Sequence, residues 1–99
     1  MSEKISPEQK KRLCKNMATN LPSLRAQADL SQDELADRLG FSRQTISALE
    51  NGKREMQWST YTSIALFFSK DSAIKKLMFP MEILNDEVEE TLSAEKKEL

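Results

Sequence analysis

Ser31-Gln32-Asp33-Glu34-Leu35-Ala36-Asp37-Arg38-Leu39-Gly40-Phe41-Ser42-Arg43-Gln44-Thr45-Ile46-Ser47-Ala48-Leu49-Glu50-Asn51-Gly52 is the most informative run in this 99-residue chain. Ser31 followed three residues later by Glu34 is a capping box, and Asp33 and Glu34 suit the positive first turn of the helix it opens. Leu35, Ala36 and Leu39 give that helix an inner face, and Gly40 can end it in the left-handed conformation. Ser42 opens a second helix with Ile46 and Leu49 inward, which Asn51-Gly52 terminates. Two helices joined by so short a turn meet steeply, and the small side chain of Ala36 permits the close approach. Leu35, Leu39, Phe41, Ile46 and Leu49 can then share one core.

Upstream, Ser6-Pro7-Glu8-Gln9 repeats the start signal with proline in the first turn, so a helix is expected from about residue 7 to 19. A break is expected near Asn20, either as a cap for a helix Leu21–Ala28 carrying Pro22 in its first turn or as a kink at Pro22. Downstream, Trp58, Tyr61, Ile64, Ala65 and Phe68 recur at three- and four-residue spacing, which predicts an amphipathic helix. Residues 71–78 suit a further short helix. Beyond Phe79-Pro80, apolar Met81, Ile83, Leu84 and Val88 give way to Glu89, Glu90, Glu95, Lys96, Lys97 and Glu98, either a frayed helix or a disordered tail. With two glycines, three prolines and no strand-like alternation, the chain reads as all-α, its compact part spanning 7–79.

Composition narrows the function. At 38% hydrophobic and 31% charged, the chain suits one small domain. Fifteen basic and sixteen acidic side chains give a net charge of -1, unevenly spread. Residues 1–54 hold ten basic and seven acidic groups, net +3, whereas 55–99 hold five and nine, net -4. The single cysteine, Cys14, and the absence of histidine remove internal disulfides, the usual zinc sites and histidine-based catalysis. With no glycine-rich phosphate loop either, neither a cofactor, a metal nor an enzyme is expected. No apolar run suits a signal peptide or membrane span, so the expected compartment is the cytoplasm.

The outward face of the helix over 42–50 carries chemistry of another kind. Arginine pairs with two acceptors on guanine, glutamine with the donor and acceptor of adenine, and threonine or alanine methyls touch the thymine methyl. Arg43, Gln44, Thr45, Ser47 and Ala48 supply those types near one end of one helix. The run from Leu24-Arg25 and Leu30 through Arg54, and most specifically Leu30 to Gly52, resembles the phage-repressor-like helix-turn-helix family, of the Cro or xenobiotic-response-element type. The resemblance covers about residues 20–70.

That resemblance implies a five-helix, lambda-repressor-like DNA-binding domain over 20–79, flanked by an additional N-terminal helix in 1–19 and a charged, acidic extension over 80–99. By position it assigns base reading to Arg43, Gln44 and Ala48, with Thr45 and Ser47 beside them. It assigns phosphate contact to Gln32 and Ser42 at helix starts and to Asn51, Gly52, Lys53 and Arg54 after the second helix. Glu50 would pair with Arg25. The implied partner is double-stranded DNA, bound by a homodimer on a palindromic operator, with repression of transcription as the simplest outcome. Two alternatives stay open: an antitoxin or controller that also binds a second protein through residues 1–19 or 80–99, and an adaptor that does not use DNA. Asp29, where the family often has glycine, and Glu55-Met56-Gln57, where a proline-containing stretch is usual, depart from the pattern.

Other features read more plainly. Lys10, Lys11, Arg12 and Lys15 form a solvated helix face; Trp58 and Phe68 belong to the core; Phe67, on a different face, is a candidate for a subunit interface. Cys14 is inert. Met78-Phe79-Pro80-Met81, Ile83 and Leu84 make an apolar cluster that self-association would cover. Asp86, Glu87, Glu89 and Glu90 should lie away from phosphate, so deleting 86–99 should leave DNA binding unchanged or tighter.

Overall fold

Side-chain caps at Ser6, Ser31 and Ser42 place three helix starts where the sequence marks them. The computed structural model describes the backbone of residues 5–98 and the side chains of 5–94. Residues 1–4 of the N-terminal extension and the charged side chains Glu95 to Glu98 lie outside that part. Six helices are present: α1 Pro7–Ala28, α2 Gln32–Leu39, α3 Arg43–Glu50, α4 Trp58–Ser69, α5 Ser72–Met78 and α6 Asp86–Glu98. No strand occurs among the described residues, so the fold is all-α. At α1 the Gln9 amide donates to Ser6 Oγ at 3.1 Å while the Ser6 amide donates to Gln9 Oε1 at 2.9 Å. Ser31 and Glu34 repeat this reciprocal cap on α2 at 3.0 and 2.9 Å.

Of the two outcomes expected near Asn20, a new helix start does not occur and the continuous helix does, for α1 runs through Pro22. Asn20 is not a cap; its side-chain amide donates to the Asn16 carbonyl at 2.8 Å, one turn back. Leu13, Met17, Leu21 and Leu24, with Cys14, are buried along one stripe of the uninterrupted helix. Pro22 lies on the exposed side, lacks the amide for the helix bond and crowds the carbonyl one turn back, a cost the continuous apolar stripe offsets. Asp29 closes α1 in the left-handed conformation at φ 58°, with the Leu30 amide donating to the Arg25 carbonyl at 2.9 Å.

One core joins all these elements. Leu21 and Leu24 of α1, Leu35 and Ala36 of α2, Ile46 and Leu49 of α3, and Tyr61, Ile64, Ala65 and Phe68 of α4 are buried in it. Trp58 is half-buried, stacked on Tyr61 at 4.6 Å between ring centroids, and Phe67 meets Phe68 edge-on at 5.1 Å.

The segment after Pro80 is part of this core as well. Ile83, Leu84, Val88 and Leu92 are buried together with Met78. Met78, Ile83 and Leu84, expected in a self-association cluster, are thus covered by their own chain, leaving Leu77 and Phe79 exposed, each at 36%. α6 is a formed helix, started by Asn85 Oδ1 accepting from the Val88 amide at 2.9 Å. The chain reaches it through a turn with Glu82 at φ 60°, pinned by the Asn16 side-chain amide donating to the Glu82 carbonyl at 3.0 Å and by Tyr61 hydroxyl donating to the Ile83 carbonyl. Burial pushes the Tyr61 phenol well above its ordinary pKa, so it stays a donor.

Candidate nucleic-acid interface

The corner between α2 and α3 follows from local chemistry. Gly40 takes φ 79° as the cap of α2, and the Phe41 amide donates to the Ala36 carbonyl at 2.8 Å, a hydrogen bond that brings the chain back across the helix end. Ser42 then caps α3, its Oγ accepting from the Thr45 amide at 3.1 Å. Buried Ile46 and Leu49 hold α3 on α2 and so leave its opposite face to solvent. On that face Arg43 and Gln44 are exposed, and Thr45, Ser47 and Ala48 half-buried.

Four of the five side chains expected to read bases share one open concavity of about 260 Å³: Arg43, Gln44, Ser47 and Ala48, joined by Asn51 and Lys53. Thr45 is not among its lining residues; its hydroxyl lies 2.9 Å from the Ser42 hydroxyl that caps α3. Gly52 and Arg54 sit just outside, on the exposed loop after α3. That loop is shaped by Asn51 Oδ1 accepting from the Lys53 amide at 3.0 Å, by the Arg54 amide donating to the Ala48 carbonyl at 3.1 Å and by Gly52 at φ 79°. Buried Met56 anchors its far end without the proline usual in similar sequences. Arg43, Lys53 and Arg54 form no ion pair among the described residues, which leaves their charge available to an outside anion.

The one acidic side chain of α3, Glu50, is neutralised from behind. Arg25 grips Glu50 through two bonds, Nε to Oε2 at 2.7 Å and Nη2 to Oε1 at 3.1 Å, while its Nη1 donates to the Leu30 carbonyl at 3.1 Å. The Glu50 side chain is only 7% exposed and that of Arg25 17%. Gln32 also donates to Glu50, Nε2 to Oε1 at 2.9 Å, so its amide braces α3. The sequence did not reveal this bond, because residues 18 apart on different helices meet only after α2 and α3 have packed. One hydrogen-bonded group therefore joins the ends of α1, α2 and α3.

A second concavity, of about 240 Å³, lies where the N-terminal end of α1 meets residues 56–58. Lys10 and Lys11 line it, although the charge run to which they belong reads from sequence as a solvated face. No group of metal-ligating side chains occurs among the described residues, and no helix of them is long and apolar enough to cross a membrane.

Comparison with known proteins agrees with this geometry. A model of the helix-turn-helix family matches residues 23–56, the segment from late α1 to the end of the loop after α3. An uncharacterized HTH-type transcriptional regulator of Methanocaldococcus jannaschii is 44% identical over 52 residues, covering 52% of this chain and 79% of that protein. No solved structure gives a significant match. The extent of that relative, the family match and the capped corner between α2 and α3 show that the chain belongs to the phage-repressor-like helix-turn-helix family.

Proposed function

We propose that this protein is a sequence-specific regulator of transcription that binds double-stranded DNA through α3, as a homodimer on a palindromic operator, and represses by blocking promoter access. The observation that carries the reading is the single concavity in which Arg43, Gln44, Ser47 and Ala48 lie beside Asn51 and Lys53. Base-reading side chains and a phosphate-binding cation then face one groove together. Gln32, Ser42, Asn51, Gly52, Lys53 and Arg54 contact phosphate, and Gln32 also braces α3 through Glu50. Residues 20–79 hold the DNA-reading elements, while 1–19 and 80–99 are extensions whose described parts add to the same core. The family is not enzymatic, and action on an operator places the protein in the cytoplasm.

A homodimer answers an energetic need, since one small module makes few phosphate contacts, whereas two half-sites about 10 base pairs apart multiply both contacts and specificity. The apolar side chains left at the surface, Leu77 and Phe79, support pairing at that edge. A second protein held there, as in an antitoxin or controller, is the competing use.

Selection of bound duplexes from a randomised pool tests the proposal. The expected product is a palindrome with half-sites about one helical turn apart, altered at one base position by Arg43→Ala. Recovery of no preferred sequence would sink the direct-readout assignment.

A further inference from the structure

We infer that α4, α5 and α6 enclose a binding site for a small apolar carboxylic acid, a ligand with a hydrocarbon body and a single anionic head. The site is separate from the face of α3 and gives the protein a ligand besides DNA. A cavity of about 370 Å³ opens there, larger than either concavity described above. That volume falls in the range of roughly 300–1,000 Å³ typical of small-molecule sites. Two of its walls are built alike. Leu66, Ser69 and the capping Lys70 at the end of α4, and Glu89, Leu92 and Ser93 of α6, each follow a spacing of three and four, which sets them side by side on one helix face. Lys75 of α5 and Leu84, from the turn before α6, complete the lining.

The lining chooses the ligand by its polarity and its charge. Leu66, Leu84 and Leu92 make the interior mainly apolar, and Leu66 stays half-buried while Ile64, Ala65 and Phe68 of the same helix are buried. Of the charged groups, Lys75 and Glu89 neutralise each other in an ion pair that joins α5 to α6. Ser69 donates its hydroxyl to the Leu66 carbonyl at 3.2 Å. Asp71, next to Lys70, does not line the cavity and spends Oδ1 on the Ala73 and Ile74 amides. Lys70 is left, exposed and without an ion pair or hydrogen bond among the described residues, as the uncompensated charge. The described lining thus carries one net positive charge over an apolar floor. A carboxylate can accept from the Lys70 ammonium and from the exposed Ser93 hydroxyl while its hydrocarbon body lies on the leucines. A phosphate monoester would bring a second negative charge toward Glu89, which favours the monoanion.

The test titrates the isotope-labelled full chain with hexanoate, octanoate and the neutral 1-octanol, following amide resonances by NMR. Octanoate should give saturable shifts concentrated at residues 66–70 and 84–93. It should bind roughly 15-fold tighter than hexanoate, since each buried methylene is worth about fourfold. Lys70→Gln, a change at an exposed position that leaves the core intact, should weaken octanoate about tenfold and leave octanol unaffected. Lys76→Gln, on the exposed side of α5 and outside the cavity, serves as the charge control and should alter neither. The inference is overturned if millimolar octanoate produces no saturable shifts at those residues. Octanol binding as tightly as octanoate, or equal losses from Lys70→Gln and Lys76→Gln, would overturn it as well, by removing the carboxylate or its partner. None of these results depends on DNA, so the regulator reading stands or falls on its own selection experiment.

Discussion

Two corners of this molecule turn the chain between helices, at residues 40–42 and at 79–85, and they are held by different means. At the first, the contacts that turn the backbone are local: glycine in the left-handed region, a returning amide from Phe41 and the Ser42 cap. At the second, Glu82 occupies the left-handed region without being glycine, and it and Ile83 are held by Asn16 and Tyr61, from 66 and 22 residues away. A corner built from neighbours is visible in the sequence and survives changes elsewhere. One built from distant partners exists only when the core has formed.

The largest effect should come from breaking the second corner's anchorage. Removing residues 86–99 takes away Val88 and Leu92, both buried, so we now expect loss of several kcal/mol of stability and a fall in DNA binding with it. This reverses the expectation for a tail that merely repels phosphate, because the segment packs into the core and its Glu89 pairs with Lys75. Thermal unfolding of the truncated chain decides the matter, and an unchanged midpoint would show α6 to be dispensable. Tyr61→Phe is the finer probe, deleting only the hydroxyl that meets the Ile83 carbonyl; about 1–2 kcal/mol should be lost.

Next in size is the group behind α3. Glu50→Ala leaves Arg25 without its anion and Gln32 without its acceptor, which should cost about 3 kcal/mol in chemical denaturation. The surface of α3 should respond in binding instead of stability. Arg43→Ala is expected to cost about 1–3 kcal/mol for the cognate base at one position and to relax preference there, whereas Lys53→Ala should weaken all sequences alike. Equal losses on every duplex for both variants would remove the division between reading and holding.

The smallest effect belongs to the cap that begins α2. Bonds from the Ser31 backbone amide and hydroxyl hold the Glu34 carboxyl below its ordinary pKa, helped by nearby Arg38. A carboxylate with a lowered folded pKa contributes stability above its unfolded value and loses it as pH falls through the folded one. Acid titration of stability should therefore be slightly flatter for Glu34→Gln, whose amide can keep the capping bond without ionising. Ser31→Ala removes the acceptor and should cost about 1 kcal/mol at neutral pH.

Much of the fold was legible because its punctuation is short-range. Ser6 with Gln9, Ser31 with Glu34, Ser42 and Gly40 each act within a few residues, and apolar spacing identified the inward faces of α2, α3 and α4. The reading failed where a local preference met a stronger distant one. Asn20 and Pro22 carry the marks of a break, yet the buried stripe from Leu13 to Leu24 keeps the helix whole. The same limit applied to the candidate interface. Its residue types were visible on α3, but the commitment of Gln32 to Glu50 depends on how helices cross.

By itself the sequence determined the all-helical class, the capped corner and the polar outward face of α3, since caps, glycine conformations and helical periodicity act over one or two turns of chain. Only the tertiary structure decided that α1 continues through Pro22, that the acidic segment past residue 85 closes the core with Val88 and Leu92, and that two N-terminal lysines line a concavity with residues 56–58. Each of those outcomes balances a local cost or a solvated charge against apolar area buried between segments far apart in sequence, and that balance is set when the helices pack.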